Sequence, residues 1–175
     1  MSARTVADVL EERARSLARP LAAIVARSGD ELDLLVCTVG EERCAMETLR
    51  VLHVGRSPPV TPIAEVPSPF VGVVNHAGEI LPVLDLGALL GMPRERARAP
   101  IIVIGERRAD VGLLVDAAVA VVVVRKSTIS APPVVPDALT TVLCGVLADG
   151  SSVLDLGALL ASPRLFVQHT RPPTS

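Results

Sequence analysis

The chain has no tryptophan, no tyrosine and only two phenylalanines, Phe70 and Phe166, among its 175 residues. Half of its side chains are nevertheless hydrophobic, so the core has to be packed from Val, Leu, Ile and Ala. Charge of one sign is lacking too. Seventeen basic side chains stand against 19 acidic ones, for a net charge of −2, which leaves no electrostatic footprint for nucleic acid. No stretch reaches the roughly 18 apolar residues that cross a bilayer. The nearest, Val111 to Val124, contains Asp116 and reads as buried strand. The N-terminus interleaves acids and bases without an apolar centre, so no signal peptide is expected. Cysteine is scarce and unpaired: Cys37, Cys44 and Cys144 are odd in number and lack CxxC spacing. They read as free thiols in a reducing compartment, which points to the cytoplasm.

Catalytic signatures are missing as well. There is no Gly-x-Ser-x-Gly elbow, no P-loop and no dinucleotide fingerprint, and the glycines are isolated turn residues. His53 and His76 could ligate a metal across a hairpin, but no third-ligand pattern of Cys, Asp or Glu surrounds them. Asp116 has no second carboxylate placed to work with it and reads as a strand-end turn residue. The expectation is a non-enzyme without metal or cofactor.

What the chain does have is an internal repeat. Val83-Leu84-Asp85-Leu86-Gly87-Ala88-Leu89-Leu90 returns unchanged as Val153-Leu154-Asp155-Leu156-Gly157-Ala158-Leu159-Leu160. Each copy follows an apolar run and a glycine-bearing turn, Gly72 to Gly78 in one and Gly145 to Gly150 in the other. One supersecondary unit built twice is the natural reading. In each copy Val-Leu ends a strand, and Asp85 or Asp155 caps a short helix, where a carboxylate meets free N–H groups and the positive dipole end. The rival reading is a catalytic Asp in a repeated setting.

Thr5-Val6-Ala7-Asp8 resembles a capping box, and Val6, Leu10, Ala14 and Leu17 follow at helical spacing up to Pro20. This predicts an amphipathic helix over about 5–19, in an N-terminal extension of residues 1–30. From Leu32 the pattern turns to strands broken at Gly40 to Arg43. Five prolines between residues 55 and 69 require an extended loop or edge strand. The charged, proline-bracketed stretch Gly91 to Pro100 marks a boundary between lobes of about 31–92 and 100–162, and residues 163–175 read as a tail. Short β-branched runs at regular spacing predict an all-β, barrel-like architecture.

The order of motifs resembles a known family. Gly72-Val73-Val74-Asn75, Gly78-Glu79-Ile80, Pro82-Val83 and Asp85-Leu86 are followed by Val111-Gly112-Leu113-Leu114-Val115-Asp116, and then by Gly145 to Leu156. Together these are similar to the CheW domain of bacterial chemotaxis scaffolds, over about residues 31–162. The resemblance implies two five-stranded, SH3-like barrel lobes related by a pseudo-two-fold and sharing a hydrophobic core. It also implies an adaptor linking methyl-accepting chemoreceptors to the regulatory domain of a CheA-type histidine kinase. Two positions depart from the family's pattern: His53 stands where a glutamate is common, and Ala77 where an arginine is common. In the family these side chains form an ion pair, and here both partners are gone.

With no chemistry to place, the functional surface has to be apolar. Val54, Val60, Pro62, Ile63, Val66 and Phe70 gather in and beside the proline-rich loop. Aliphatic edges next to proline suit docking, because proline blocks uncontrolled strand pairing. By resemblance this lobe, with Gly72, Asn75 and Gly78 of its hairpin, would meet the kinase domain. A groove between lobes, formed by Val36, Leu114, Val115 and Val119, would receive the receptor. The alternative function is an aliphatic barrel enclosing a small hydrophobic ligand.

Overall fold

A computed structural model describes residues 29–92, 99–132 and 142–162. The expected helix over 5–19 and the tail 163–175 lie outside the described residues. The chain divides into two compact units, Met1–Asp30 and Glu31–Ser175.

Ten strands and two short α-helices make up the described part of the second unit. The strands are β1 (Glu31–Val39), β2 (Glu42–Glu47), β3 (Val51–Arg56), β4 (Phe70–His76), β5 (Glu79–Asp85), β6 (Pro100–Ile104), β7 (Val111–Leu114), β8 (Ala117–Arg125), β9 (Leu143–Val146) and β10 (Ser152–Leu154). Helix α1 (Leu86–Leu89) follows β5 and α2 (Leu156–Ala161) follows β10. The strands form two five-stranded sheets, ordered β8-β1-β2-β10-β9 and β3-β6-β7-β5-β4. Replacing each of β1 to β5 in the first order by the strand five places later, and each of β6 to β10 by the one five places earlier, yields the second. The duplication seen in eight residues therefore extends to the whole topology.

The sheets do not follow the sequential halves 31–92 and 100–162. Each sheet takes its opening hairpin from one half of the chain and three strands from the other. The strands on either side of the charged stretch after α1, β5 and β6, both belong to the second sheet, so the change of sheet lies elsewhere. The chain changes sheets at Thr48–Arg50, a single 3₁₀ turn, and at Val115-Asp116, neither of which carries glycine or proline. The run Val111 to Val124 is likewise two strands in two sheets. Asp116 separates them: its N–H donates to Thr38 O at 2.9 Å, and its carboxylate accepts from Gly40 N. It is the strand-end turn residue the sequence indicated.

The near-continuous apolar runs follow from burial on both faces of the central strands. Leu35, Cys37 and Val39 of β1 point to one core with Leu84, Ile102, Ile104, Leu113, Leu154 and Leu156, which draws on both sheets. The intervening Leu34 and Val36 point the other way, with Ala45 and Val153, into a core belonging to the first sheet. Ile101, Val103, Val74, Leu81 and Val83 do the same in the second. A shared central core between two private ones is what an aliphatic, aromatic-poor composition builds here.

Candidate functional site

The repeated octapeptide is structural. Asp85 Oδ1 accepts from Ala88 N at 2.9 Å and Asp155 Oδ1 from Ala158 N at 2.9 Å, each at the first turn of its helix. Both Asp N–H groups are held by backbone carbonyls, those of Pro69 and Val142. The capping reading holds at both copies.

The same equivalence locates two surface features. Val83 pairs with Gly112 and Gly112 with Val103 in the second sheet; Val153 pairs with Ala45 and Ala45 with Val36 in the first. Val103 and Val36 are thus equivalent. Opposite them lie His53 of β3 and Ala120 of β8. The residue before each, Leu52 and Val119, is passed over in the register. A β-bulge therefore sits at the same place on the edge strand of both sheets, where bulges re-aim side chains. The bulged residues are exposed (Leu52 45%, Val119 52%), and so are their equivalent neighbours Val54 and Val121. Val123 extends the second stripe. Exposed valines on an edge strand are unusual in a domain that pairs with nothing.

The residues singled out in the sequence divide sharply. Val54, Pro62 and Ile63 are exposed and Val66 is half-buried. Val60 instead packs on the second sheet's core, and Phe70 on the shared one. Gly72 is buried at φ +140, where a Cβ would lie 2.2 Å from Thr61 O; this close approach allows the paired bonds Thr61 N to Val73 O and Val73 N to Thr61 O. Asn75 and Gly78 shape the β4–β5 turn, Gly78 N donating to Asn75 Oδ1 at 3.0 Å. Of the expected groove, Val36, Leu114 and Val115 are 2%, 4% and 0% exposed, so they are core and form no groove wall. Strands buried on both faces read in sequence just like strands with one apolar face outside. Val119 alone of that set reaches the surface. Leu52, Val121 and Val123 were missed, although their spacing from Val54 and Val119 on edge strands was a usable signal.

A crevice of about 810 Å³ opens elsewhere. It is lined by Phe70, Pro82 and Val111, by Gly157, Leu160 and Ala161 of α2, and by the charged residues of the β6–β7 turn. Arg50 packs over the start of α2, its Nη2 3.2 Å from where a Gly157 Cβ would lie and 3.7 Å from Glu106 Oε1. Cys37 and Cys44 face each other across β1 and β2 and are buried. Burial first, then the neighbouring Cys44 and Asp116, pushes the Cys37 thiol up to about 12. Burial and Glu42 push Cys44 to about 11. Such thiols are poor nucleophiles. Among the described residues no group of three or more His, Cys, Asp and Glu could hold a metal, and no helix is long and apolar enough to cross a membrane.

The sequence model of the CheW-like domain matches residues 33–164. The chain belongs to the CheW-like domain family. It is 35% identical over 103 residues to a probable chemotaxis protein CheW from Rhizobium etli, covering 58% of this chain and 66% of that one. Protein FrzA of Myxococcus xanthus is 31% identical over 152 residues, 83% of this chain and 95% of FrzA. The crystal structure of the scaffolding protein TtCheW from Thermoanaerobacter tengcongensis superposes with a TM-score of 0.62 at 26% identity, over 70% of this chain and 86% of TtCheW.

The two departures from the CheW pattern take a specific form. His53 pairs across from Val103, whose side chain enters the second sheet's private core. Its ring lies 5.2 Å from that of His76, tilted by 48°. Ala77, where the family's arginine is common, sits exposed at φ +52 in the tip of the β4–β5 turn. A contact between imidazole rings of β3 and β4 thus involves His53 itself and the neighbour of Ala77.

Proposed function

We propose that the protein is a non-enzymatic adaptor of the cytoplasm that joins a CheA-type histidine kinase to chemoreceptors. Membership in the CheW-like family makes it a chemotaxis coupling scaffold. The observation that carries the two-partner reading is the pair of equivalent apolar stripes, Leu52 with Val54 and Val119 with Val121, one on the edge strand of each sheet. Two separate docking faces on one rigid body are what a coupling protein needs. The kinase regulatory domain would meet the β3 side, with Val54, Pro62, Ile63 and the Asn75–Gly78 turn. The receptor would meet the β8 side around Val119. Each sheet, joined end to end by the bridges Thr61–Val73 and Ser130–Val146, reads as an SH3-like lobe. Their interiors are filled by aliphatic side chains, which disfavours a ligand-holding barrel.

The test is a pair of surface charges. Val54→Asp should weaken binding to a CheA-type regulatory domain at least fivefold, on the scale of about 1 kcal/mol or more for an interface contact, and spare a receptor cytoplasmic fragment. Val121→Asp should do the reverse. Calorimetry in which both variants bind both partners as wild type does would overturn the assignment.

A further inference from the structure

The edge strands β3 and β8 are equivalent in place and unlike in sequence. β3 is six residues long and carries His53, Gly55 and Arg56. β8 is nine residues long, and from Ala117 to Val124 it holds only alanine and valine. Charge, proline and bulges keep an edge strand from pairing with another chain. Apart from the bulge at Val119, β8 has none of these before Arg125. Among the described residues it hydrogen-bonds to β1 alone.

The register shows which backbone groups β8 turns outward. Asp116 N donates to Thr38 O, so Thr38 faces β8, and by alternation Val36 and Leu34 face it too. Their partners are Ala120 and Val122. The N–H and C=O groups of Val121 and Val123 therefore point away from β1, along the open edge. Charges of opposite sign stand at the two ends of the strand, Asp116 before it and Arg125 and Lys126 at its close. An antiparallel copy of the same strand, centred on Val121, sets Asp116 of one chain against Lys126 of the other. It also sets Val119 against Val123, and Val121 against itself. A parallel copy would stack Asp116 on Asp116 and Arg125 on Arg125. We propose that β8 pairs with β8 of a second copy of this chain, antiparallel about a two-fold axis at Val121. The two first sheets then become one continuous sheet, and the end charges select the antiparallel direction. The pairing is made by backbone at the strand edge, so it stands independently of the receptor reading of the valine face.

Sedimentation equilibrium of the full chain, with no other protein present, tests this. The protein should pass from dimer to monomer on dilution. Arg125→Glu combined with Lys126→Glu sets like charges against Asp116 at both ends. It should raise the dimer dissociation constant about tenfold or more, and by more at low salt than at high. Val121→Pro removes an outward N–H that β1 does not use and should abolish the dimer. Should that variant fail to fold, the charge variant decides. In a Cys144→Ser background, Val121→Cys should give a disulfide-linked dimer with oxidised glutathione, because directly opposed residues lie within disulfide reach. A monomer at every concentration overturns the proposal. So does a dimer that the charge variant leaves as tight as wild type, or one in which Val121→Cys does not cross-link.

Discussion

Asp85 and Asp155 accept the same hydrogen bond at the same 2.9 Å from opposite environments. Asp85 is fully buried between strand and helix, whereas Asp155 is exposed. Sequence identity fixed the contact, and the tertiary setting fixed how much depends on it. Asp155→Ala should cost about 0.5–1 kcal/mol, the loss of an exposed cap. Asp85→Ala should cost about 2 kcal/mol or more, because it leaves the part-buried Ala88 N–H without its partner inside the fold. Urea denaturation of both variants measures the difference, and equal costs would show that burial contributes nothing to this cap.

The helix ends give a second comparison. No heavy atom lies within 4 Å of a Cβ built on Gly91, so Gly91→Ala tests backbone conformation alone. The left-handed conformation should cost about 1–2 kcal/mol. Ala161→Gly removes a helix-favouring side chain from the other copy and should cost about 1 kcal/mol or less. Thermal unfolding separates the two. A Gly91→Ala protein as stable as wild type would mean the reversal before Met92 tolerates a side chain.

The thiols predict a pH dependence. Cys37 and Cys44 keep their protons in the fold to about 12 and about 11, against 9.0 for a free thiol. Above about pH 9 the unfolded chain loses protons that the folded chain holds. Stability is therefore unaffected below that pH and falls as pH rises toward the folded values. Urea midpoints between pH 7.5 and 10 should show the decline, and Cys37→Ala should flatten it. Alkylation of the native protein at pH 8, read by mass spectrometry, should label Cys144, the exposed thiol, and spare the other two.

Much of this architecture is legible in the residues. The octapeptide gave the caps, the prolines between 55 and 69 gave an extended segment that bridges at Thr61, and alternation gave the strands. The exchange of strands between sheets was hidden. The crossings at Thr48–Arg50 and Val115-Asp116 need only a 3₁₀ turn or a two-residue step, while the conspicuous Gly91 to Pro100 stretch has strands of one sheet on either side. The exposed stripes were half legible. Val54 was picked out beside the proline-rich loop and Val119 only as part of a groove between lobes, whereas Val36, Leu114 and Val115, named for the same groove, lie inside the cores. Only the register across three strands tells these cases apart.

The contact between His53 and His76 leads to the last prediction, about specificity. If the missing ion pair retunes the kinase-facing surface, this protein should bind a CheA-type regulatory domain weakly. Ala77 already holds φ +52, so Ala77→Arg adds a side chain without new backbone strain. Alone it places an unpaired cation beside two imidazoles and should help little. His53→Glu alone breaks the ring contact and places an unpaired carboxylate on β3. Together the two charges can meet, and adjacent groups couple by about 0.5–3 kcal/mol. The double variant should therefore bind more tightly than the two single effects sum to, and by more at low salt than at high. Calorimetric titration of all four proteins yields the coupling energy. Strict additivity, or tight binding by the wild-type chain, would mean that the His53–His76 contact replaces the ion pair without changing which partner is chosen.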